Sequence, residues 1–127
     1  MKKIVLFATA VFFSVVVMAQ SKPDDVAKFN TENHNFGKIA QGTPVTYYFE
    51  IKNISNKPLV IANASASCGC TVPEKPEQPI APGGTGKLKV VFNAGTLGPL
   101  KKDVYVTFAG VEQVKTVHIT GEVVAAN

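Results

Sequence analysis

The stretch Val45-Thr46-Tyr47-Tyr48-Phe49-Glu50-Ile51-Lys52-Asn53 decides how the rest of this sequence is read. Val45, Tyr47, Phe49 and Ile51 fall on one face, and Thr46, Tyr48, Glu50 and Lys52 fall on the other. Period-two alternation in β-branched and aromatic residues is the pattern of a strand buried on one side. Asn53-Ile54-Ser55-Asn56-Lys57-Pro58 then reads as a turn cluster.

The same alternation continues in both directions. Upstream, Ala27, Phe29 and Thr31 alternate with Lys28, Asn30 and Glu32, and a bend around Asn33-His34-Asn35 leads into a short strand ending near Ile39. Downstream, Leu59–Ser65, Thr85–Asn93, Leu100–Ala109 and Glu112–Val124 each carry one apolar face. Val90, Phe92, Val106, Phe108 and Ile119 are the expected core partners of Phe49 and Ile51. Turn signals recur every ~8–12 residues and no helical period runs through a useful window, so the chain reads as all-β. The expected fold is a single immunoglobulin-like β-sandwich of about seven strands. The Trp and the widely spaced cysteine pair of antibody domains are both missing.

The first residues have a different character. Lys2 and Lys3 precede an apolar run from Ile4 to Val17, and Val17-Met18-Ala19 fits a small-residue cleavage site. This is the pattern of a secretory signal peptide. Residues 1–19 are therefore read as the signal, 20–27 as a flexible lead-in and 28–127 as the sandwich domain. The apolar run is shorter than the ~20 residues that span a bilayer, and no transmembrane segment is expected after signal removal. The first cysteine is Cys68, so no lipid anchor on a mature N-terminal cysteine is expected. The expected location is the periplasm or the cell exterior.

Removal of Lys2 and Lys3 lowers the net charge from +4 to +2. Every basic residue is lysine, and the lysines are scattered along strands and loops. Nucleic-acid binders concentrate basic residues in a patch, often with arginine forks, so no nucleic-acid partner is expected.

One chemical feature stands out, Cys68-Gly69-Cys70, which holds the only cysteines of the chain. In extended backbone, side chains two residues apart share a face, so both sulfurs would lie side by side. Gly69 would permit a positive φ between them. Three readings stand. A disulfide between extended i and i+2 positions spans ~6–7 Å between Cα atoms, the upper limit for a bridge, and would be strained and easily reduced. Two adjacent thiolates would also suit copper(I), or zinc with further ligands. Lastly, the pair could simply be small side chains packed at a strand end.

Other motifs carry less. A Cys–His nucleophile pair needs a base within hydrogen-bond reach. His118 is expected on an outward strand face and His34 in a polar bend. Gly83-Gly84-Thr85-Gly86-Lys87 lacks the spacing of a phosphate loop and opens a strand, so it reads as a turn. The acids are dispersed and form no paired-carboxylate pattern. No catalytic residue is assigned.

Several of these segments together resemble a known family. They are Asn53 with Ile54-Ser55-Asn56-Lys57-Pro58-Leu59, Ser67-Cys68-Gly69-Cys70-Thr71, Pro79-Ile80-Ala81-Pro82-Gly83-Gly84 and Ile119-Thr120-Gly121-Glu122-Val123. In this order they are similar to the bacterial exported family called domain of unknown function 1573, from about Phe29 to Val124. The resemblance implies an immunoglobulin-like sandwich similar to major sperm protein, PapD and ASH domains, which mainly bind or scaffold other proteins. Asn53-Ile54-Ser55 and Asn63-Ala64-Ser65 match glycosylation sequons, but in a bacterial chain they read as chance.

The expected function is a non-catalytic exported binding or scaffolding domain whose partner is a protein or another envelope component, and no cofactor is expected. The alternative is a redox-active or copper-handling protein acting through Cys68 and Cys70. The signal reading makes a direct prediction. N-terminal sequencing of the protein from its native host should find Gln20, or a residue within a few positions of it, in an envelope or secreted fraction. Intact Met1 from cytosol as the main form would refute it.

Overall fold

The computed structural model describes residues 22–126, in which one helical turn precedes eight strands. They are α1 (Pro23–Val26), β1 (Ala27–Phe29), β2 (Asn33–Ala40), β3 (Val45–Asn53), β4 (Ile61–Ala66), β5 (Thr71–Glu74), β6 (Thr85–Phe92), β7 (Gly98–Phe108) and β8 (Lys115–Val124). The expected signal segment, residues 1–19, lies outside the described residues. The strands form two four-stranded sheets, ordered β1-β3-β6-β5 and β2-β8-β7-β4. The architecture is all-β and immunoglobulin-like, with one strand more than the sequence pattern counted. The additional strand is β5, which no alternation in the sequence marks. Its Pro73 cannot donate to a ladder, but β5 lies at a sheet edge, where proline is tolerated.

The core is the interleaving of the two inner faces. In β3, Phe49 and Ile51 are fully buried, and the register sets Phe49 opposite Leu88 and Tyr47 opposite Val90. From the facing sheet come Val104, Val106 and Phe108 of β7 and Val117 and Ile119 of β8, all buried. Every core partner named from the sequence is buried. Each such side chain contributes ~1.5–3 kcal/mol of transfer free energy. Outside it, Phe29 packs edge-on to Phe108, and Tyr47 packs edge-on to Phe49.

One polar residue lies inside this apolar region. Asn53, at the end of β3, has no exposed surface. Its carboxamide nitrogen donates to the carbonyls of Lys57 and Ile80, at 2.7 and 2.8 Å. Its oxygen accepts from the Ser55 backbone N–H and hydroxyl, at 2.9 and 2.6 Å. Its backbone N–H donates to Gly84 O, and its carbonyl accepts from Gly83 N–H, both at 2.9 Å. The side chain thus closes the turn after β3 and holds the distant segment before β6. That segment brings Ile80 over Gly86, where a Cβ would stand 2.5 Å from Ile80 Cδ1. Only glycine leaves room for that approach.

The first described residues, from Pro23, are tied to the sheets by burial and pairing. Pro23 and Ala27 are buried, and Ala27 pairs with Asn53. Lys115, at the start of β8, is buried along its stem, and its ammonium pairs with Asp24 at 2.6 Å and with Glu32. It also lies 5.7 Å from the Phe29 ring centroid. Two carboxylates and a ring face compensate the desolvated charge, which is why a lysine is tolerated there. Pro23–Ala27 thus pack on the sandwich through these contacts.

β2 pairs in parallel with β8, from Asn33 opposite His118 to Ala40 opposite Val124, so the first long strand and the last lie side by side. His34 is part of β2 and not of a polar bend. Its ring stacks on Tyr47 at 3.6 Å between centroids and meets Phe36 edge-on at 4.6 Å. Burial lowers its pKa, because the charged form loses hydration in this aromatic contact.

Two predictions follow from these polar anchors. Asn53→Ala removes four side-chain hydrogen bonds and leaves the Ser55 N–H without its partner, while the Ile80 and Lys57 carbonyls keep the Leu59 N–H and the Ser55 hydroxyl. At ~0.5–1.5 kcal/mol for each hydrogen bond lost, partly relieved by water at the turn, the variant should lose roughly 2–4 kcal/mol. An unfolding midpoint in urea equal to that of the wild type would contradict this. Lys115 gives a pH dependence. Burial alone would lower its pKa, but the hydrogen bonds and charges of Asp24 and Glu32 outweigh this and hold it above the ordinary value of 10.5. A base with a raised folded pKa stabilises fully below its unfolded pKa and loses that contribution as pH rises through the folded value. The stability gap between wild type and Lys115→Met should therefore be constant from pH 7 to about 10 and shrink at higher pH. A gap that grows with alkalinity would reverse the assignment.

Candidate functional site

The Cys-Gly-Cys segment forms the corner at which the chain leaves one sheet for the other. β4 is an edge strand of the second sheet and β5 an edge strand of the first, and residues 67–70 connect them. Several main-chain contacts fix this corner. Ser67 N–H donates to Asp103 O at 3.0 Å, and Asp103 N–H donates to the Ser67 hydroxyl at 3.1 Å. Asn93 N–H donates to Cys70 O at 3.0 Å, and Thr71 N–H reaches Cys68 O at 3.4 Å.

Cys68 and Cys70 are joined as a disulfide with Cα atoms 5.4 Å apart. The separation is shorter than the extended-chain expectation because the backbone turns here. It lies well inside the range a bridge can span. Gly69 does not have a positive φ, and a Cβ there would meet no atom within 4 Å. Its freedom of conformation is therefore not what the corner uses. Cys68 is half-buried, and Cys70 packs against the edge of the core. The buried hydroxyl of Thr71 lies 3.8 Å from Cys70 Sγ and 4.0 Å from Cys68 Sγ. A bridged sulfur has no proton, so the single hydroxyl proton of Thr71 is the only one that can be donated in these contacts.

Beside the bridge is a cavity of about 190 Å³, lined by Cys70, Phe92, Leu97, Leu100, Lys102 and Val123, among others. Lys102 was missed in the sequence reading although its signal was present. The face that carries Val104, Val106 and Phe108 continues backwards through Lys102 to Leu100. Lys102 therefore starts from the inner side of β7, at the open end of the sandwich.

The histidines do not join this site. His118 lies outward on β8, as expected, but it is paired rather than simply solvated. Its Nδ1 is 2.6 Å from Asp103 Oδ1, its cross-strand neighbour. His34 belongs to the aromatic contact with Tyr47. Neither hydrogen-bonds a sulfur among the described residues. No group of three or more His, Cys, Asp or Glu side chains is gathered among the described residues. The alternative reading, copper or zinc ligation by Cys68 and Cys70, would require reduction of the bridge first, since thiolates are the ligands.

The four sheet edges differ in how they are protected. β1 has three residues, and Asn30 caps its neighbour by accepting from Glu50 N–H at 2.9 Å. β2 carries a register shift between Asn35 and Lys38, with Gly37 at φ 70°. β5 has four residues, including Pro73 and Glu74. β4, Ile-Ala-Asn-Ala-Ser-Ala, has neither proline nor charge. Lys75 Nζ donates to the Ala62 carbonyl at 3.2 Å, beside a register shift, which leaves Asn63–Ala66 as the regular run. Bulges, charges, prolines and short length are the usual protections of an edge. On β4 they cover only its first part. A groove of about 490 Å³, lined by Asn63, Ala64, Pro73, Glu74, Lys75 and Glu77, runs alongside it.

The two sheets, their order and the bridged corner define an immunoglobulin-like sandwich without an inter-sheet disulfide. Residues 27–123 match the family described as "Protein of unknown function (DUF1573)", and the chain belongs to it. No curated protein matches the sequence. Among solved structures, the chain is similar to a protein of unknown function from Porphyromonas gingivalis W83, with TM-score 0.67 and 16% identity over 87% of this chain. It spans 51% of that protein's length. It is also similar to ASH / PapD-like domain 7 of human CEP192, with TM-score 0.60, 13% identity and coverage of 91% of this chain and 97% of that one. A further similarity is to WR4, a C. elegans MSP family member, with TM-score 0.50, 12% identity and coverage of 80% and 98%. At these identities the likeness is one of fold.

The corner predicts how the bridge affects stability. A bridge between residues two apart closes a very small loop and removes little entropy from the unfolded chain. The Ser67, Asp103 and Asn93 hydrogen bonds already hold the turn. Cys68→Ser combined with Cys70→Ser should therefore keep the fold and shift stability by no more than ~1–2 kcal/mol. Loss of the β-sheet circular dichroism signal at 25 °C would show that the bridge is a main structural element.

Proposed function

We propose that this chain is an exported, non-catalytic binding or scaffolding domain whose partner is a protein of the bacterial envelope, bound as an extended segment along β4. The observation that carries the proposal is the asymmetry of the sheet edges. Three are short, bulged or interrupted by proline, while β4 offers Asn63–Ala66 with small uncharged side chains and a groove beside it. An added strand gains main-chain hydrogen bonds from such an edge, and alternate side chains supply specificity. Asn63 and Ser65 are the exposed positions of this run, while Ala64 turns towards the core. Membership of an exported family and the signal-like first residues support an envelope location.

The test is site-directed photo-crosslinking in intact cells of the native host. A photoreactive residue at position 65 should yield one discrete protein adduct in the envelope fraction. The same residue at position 113, in the loop before β8, should not. Ser65→Lys combined with Asn63→Lys should weaken capture of that partner at least about tenfold, since paired charges on an edge oppose strand addition. Equal adducts from both positions, or none from 65, would overturn the proposal.

A further inference from the structure

The bridge at the sheet corner supports an activity separate from binding along β4. We propose that Cys68–Cys70 is an exchangeable disulfide that oxidises dithiols in extended peptide segments, with Cys70 as the leaving sulfur and Lys102 as its positioning residue.

Three features of the corner converge on this. The disulfide lies in a surface turn, half-buried, and not between the sheets where structural bridges of sandwiches lie. The two sulfurs are not equivalent, because Cys70 packs on the core edge and lines the cavity with Lys102, whereas Cys68 does not line it. The surroundings also suit a thiolate at Cys70. Lys102 is the charged side chain lining that cavity, and the Thr71 hydroxyl lies 3.8 Å from the sulfur. The nearest acid on β7, Asp103, belongs to the outer face, where it is bonded to His118. A nearby ammonium and a hydrogen-bond donor lower a thiol's pKa and make it the better leaving group.

A thiolate of the peptide attacks Cys68 Sγ, the Cys68–Cys70 bond breaks, and its electron pair goes to Cys70 as thiolate in the cavity that Lys102 also lines. The second peptide thiolate then attacks the peptide sulfur of the mixed disulfide and expels Cys68. The peptide leaves with a disulfide, and the chain keeps two electrons as a dithiol, with protons exchanged with water. Phe92, Leu97, Leu100 and Val123 line the cavity at this end, and Leu97 is half-exposed. They supply an apolar wall for a side chain adjacent to the peptide cysteine.

The experiment uses the purified oxidised protein and a reduced synthetic peptide with two cysteines next to a leucine. Alkylation and mass spectrometry follow the conversion of each. The peptide should be oxidised at least about tenfold faster than by an equal concentration of oxidised glutathione. The Cys68→Ser variant isolates Cys70, and the pH midpoint of its alkylation by iodoacetamide should lie below the ~8.5 of a free cysteine. Lys102→Gln in that background should raise the midpoint by about one unit, and Lys102→Arg should restore it. Circular dichroism of each variant verifies the fold. Oxidation no faster than by glutathione, or a midpoint indifferent to Lys102→Gln, would refute the proposal. The β4 crosslinking does not depend on thiol state, so failure of one leaves the other standing.

Discussion

The carboxamide of Asn53 is the interaction that the rest of the sandwich depends on. A polar side chain without exposed surface is tolerated only when its donors and acceptors are matched, and here all of them are. It ends β3 at the right residue, shapes the turn into β4, and holds the Ile80 segment that covers the same end of the core. Leu59 and Ile80 then pair through their backbones at 2.8 and 2.9 Å, which joins the segment before β4 to the proline-rich loop between β5 and β6. The loop is ordered from inside the fold rather than by its own composition.

A second set of contacts closes the molecule from its ends. The parallel pairing of β2 with β8 places the first long strand against the last, a contact of high sequence separation. Lys115 extends the closure to α1 and the segment before β2 through Asp24 and Glu32. Such non-local pairings cost loop-closure entropy before they contribute stability, so folding of this domain should be slower than that of a helical protein of equal length. β2 itself stays an edge interrupted by its register shift, and the β4–β5 side of the sandwich is the open one.

That open side holds both functional candidates. β4 and β5 belong to different sheets, so no ladder joins them, and the turn that connects them carries the disulfide. A partner strand on β4 would run towards this corner. Binding along an edge and thiol exchange at its end are thus neighbouring properties of one surface, and they rest on different groups: main-chain donors and acceptors for the first, Cys70, Thr71 and Lys102 for the second.

Much of the fold was legible in the chain because a strand's inward face repeats every two residues. Phe49, Ile51, Val90, Phe92, Val106, Phe108 and Ile119 were identified from that period alone, and all are buried. The period failed where local signals conflict with context. β5 was missed because a proline-bearing tetrapeptide reads as loop unless its edge position is known, and His34 was missed because its stacking partner is supplied by the other sheet. Asn53 and Lys115 read as ordinary turn and surface residues, since nothing local marks a polar group whose partners lie far along the chain. The Cys-Gly-Cys pair was visible, but its geometry was not, because an extended backbone and a turn are equally compatible with three residues. The sequence by itself determined the all-β class, the core faces and the chemical singularity of the two cysteines, through side-chain periodicity and composition. Only the tertiary structure decided which edge is open, where the chain changes sheets and that Lys102 and Cys70 line one cavity. Those depend on contacts between segments distant in the chain, which no local pattern encodes.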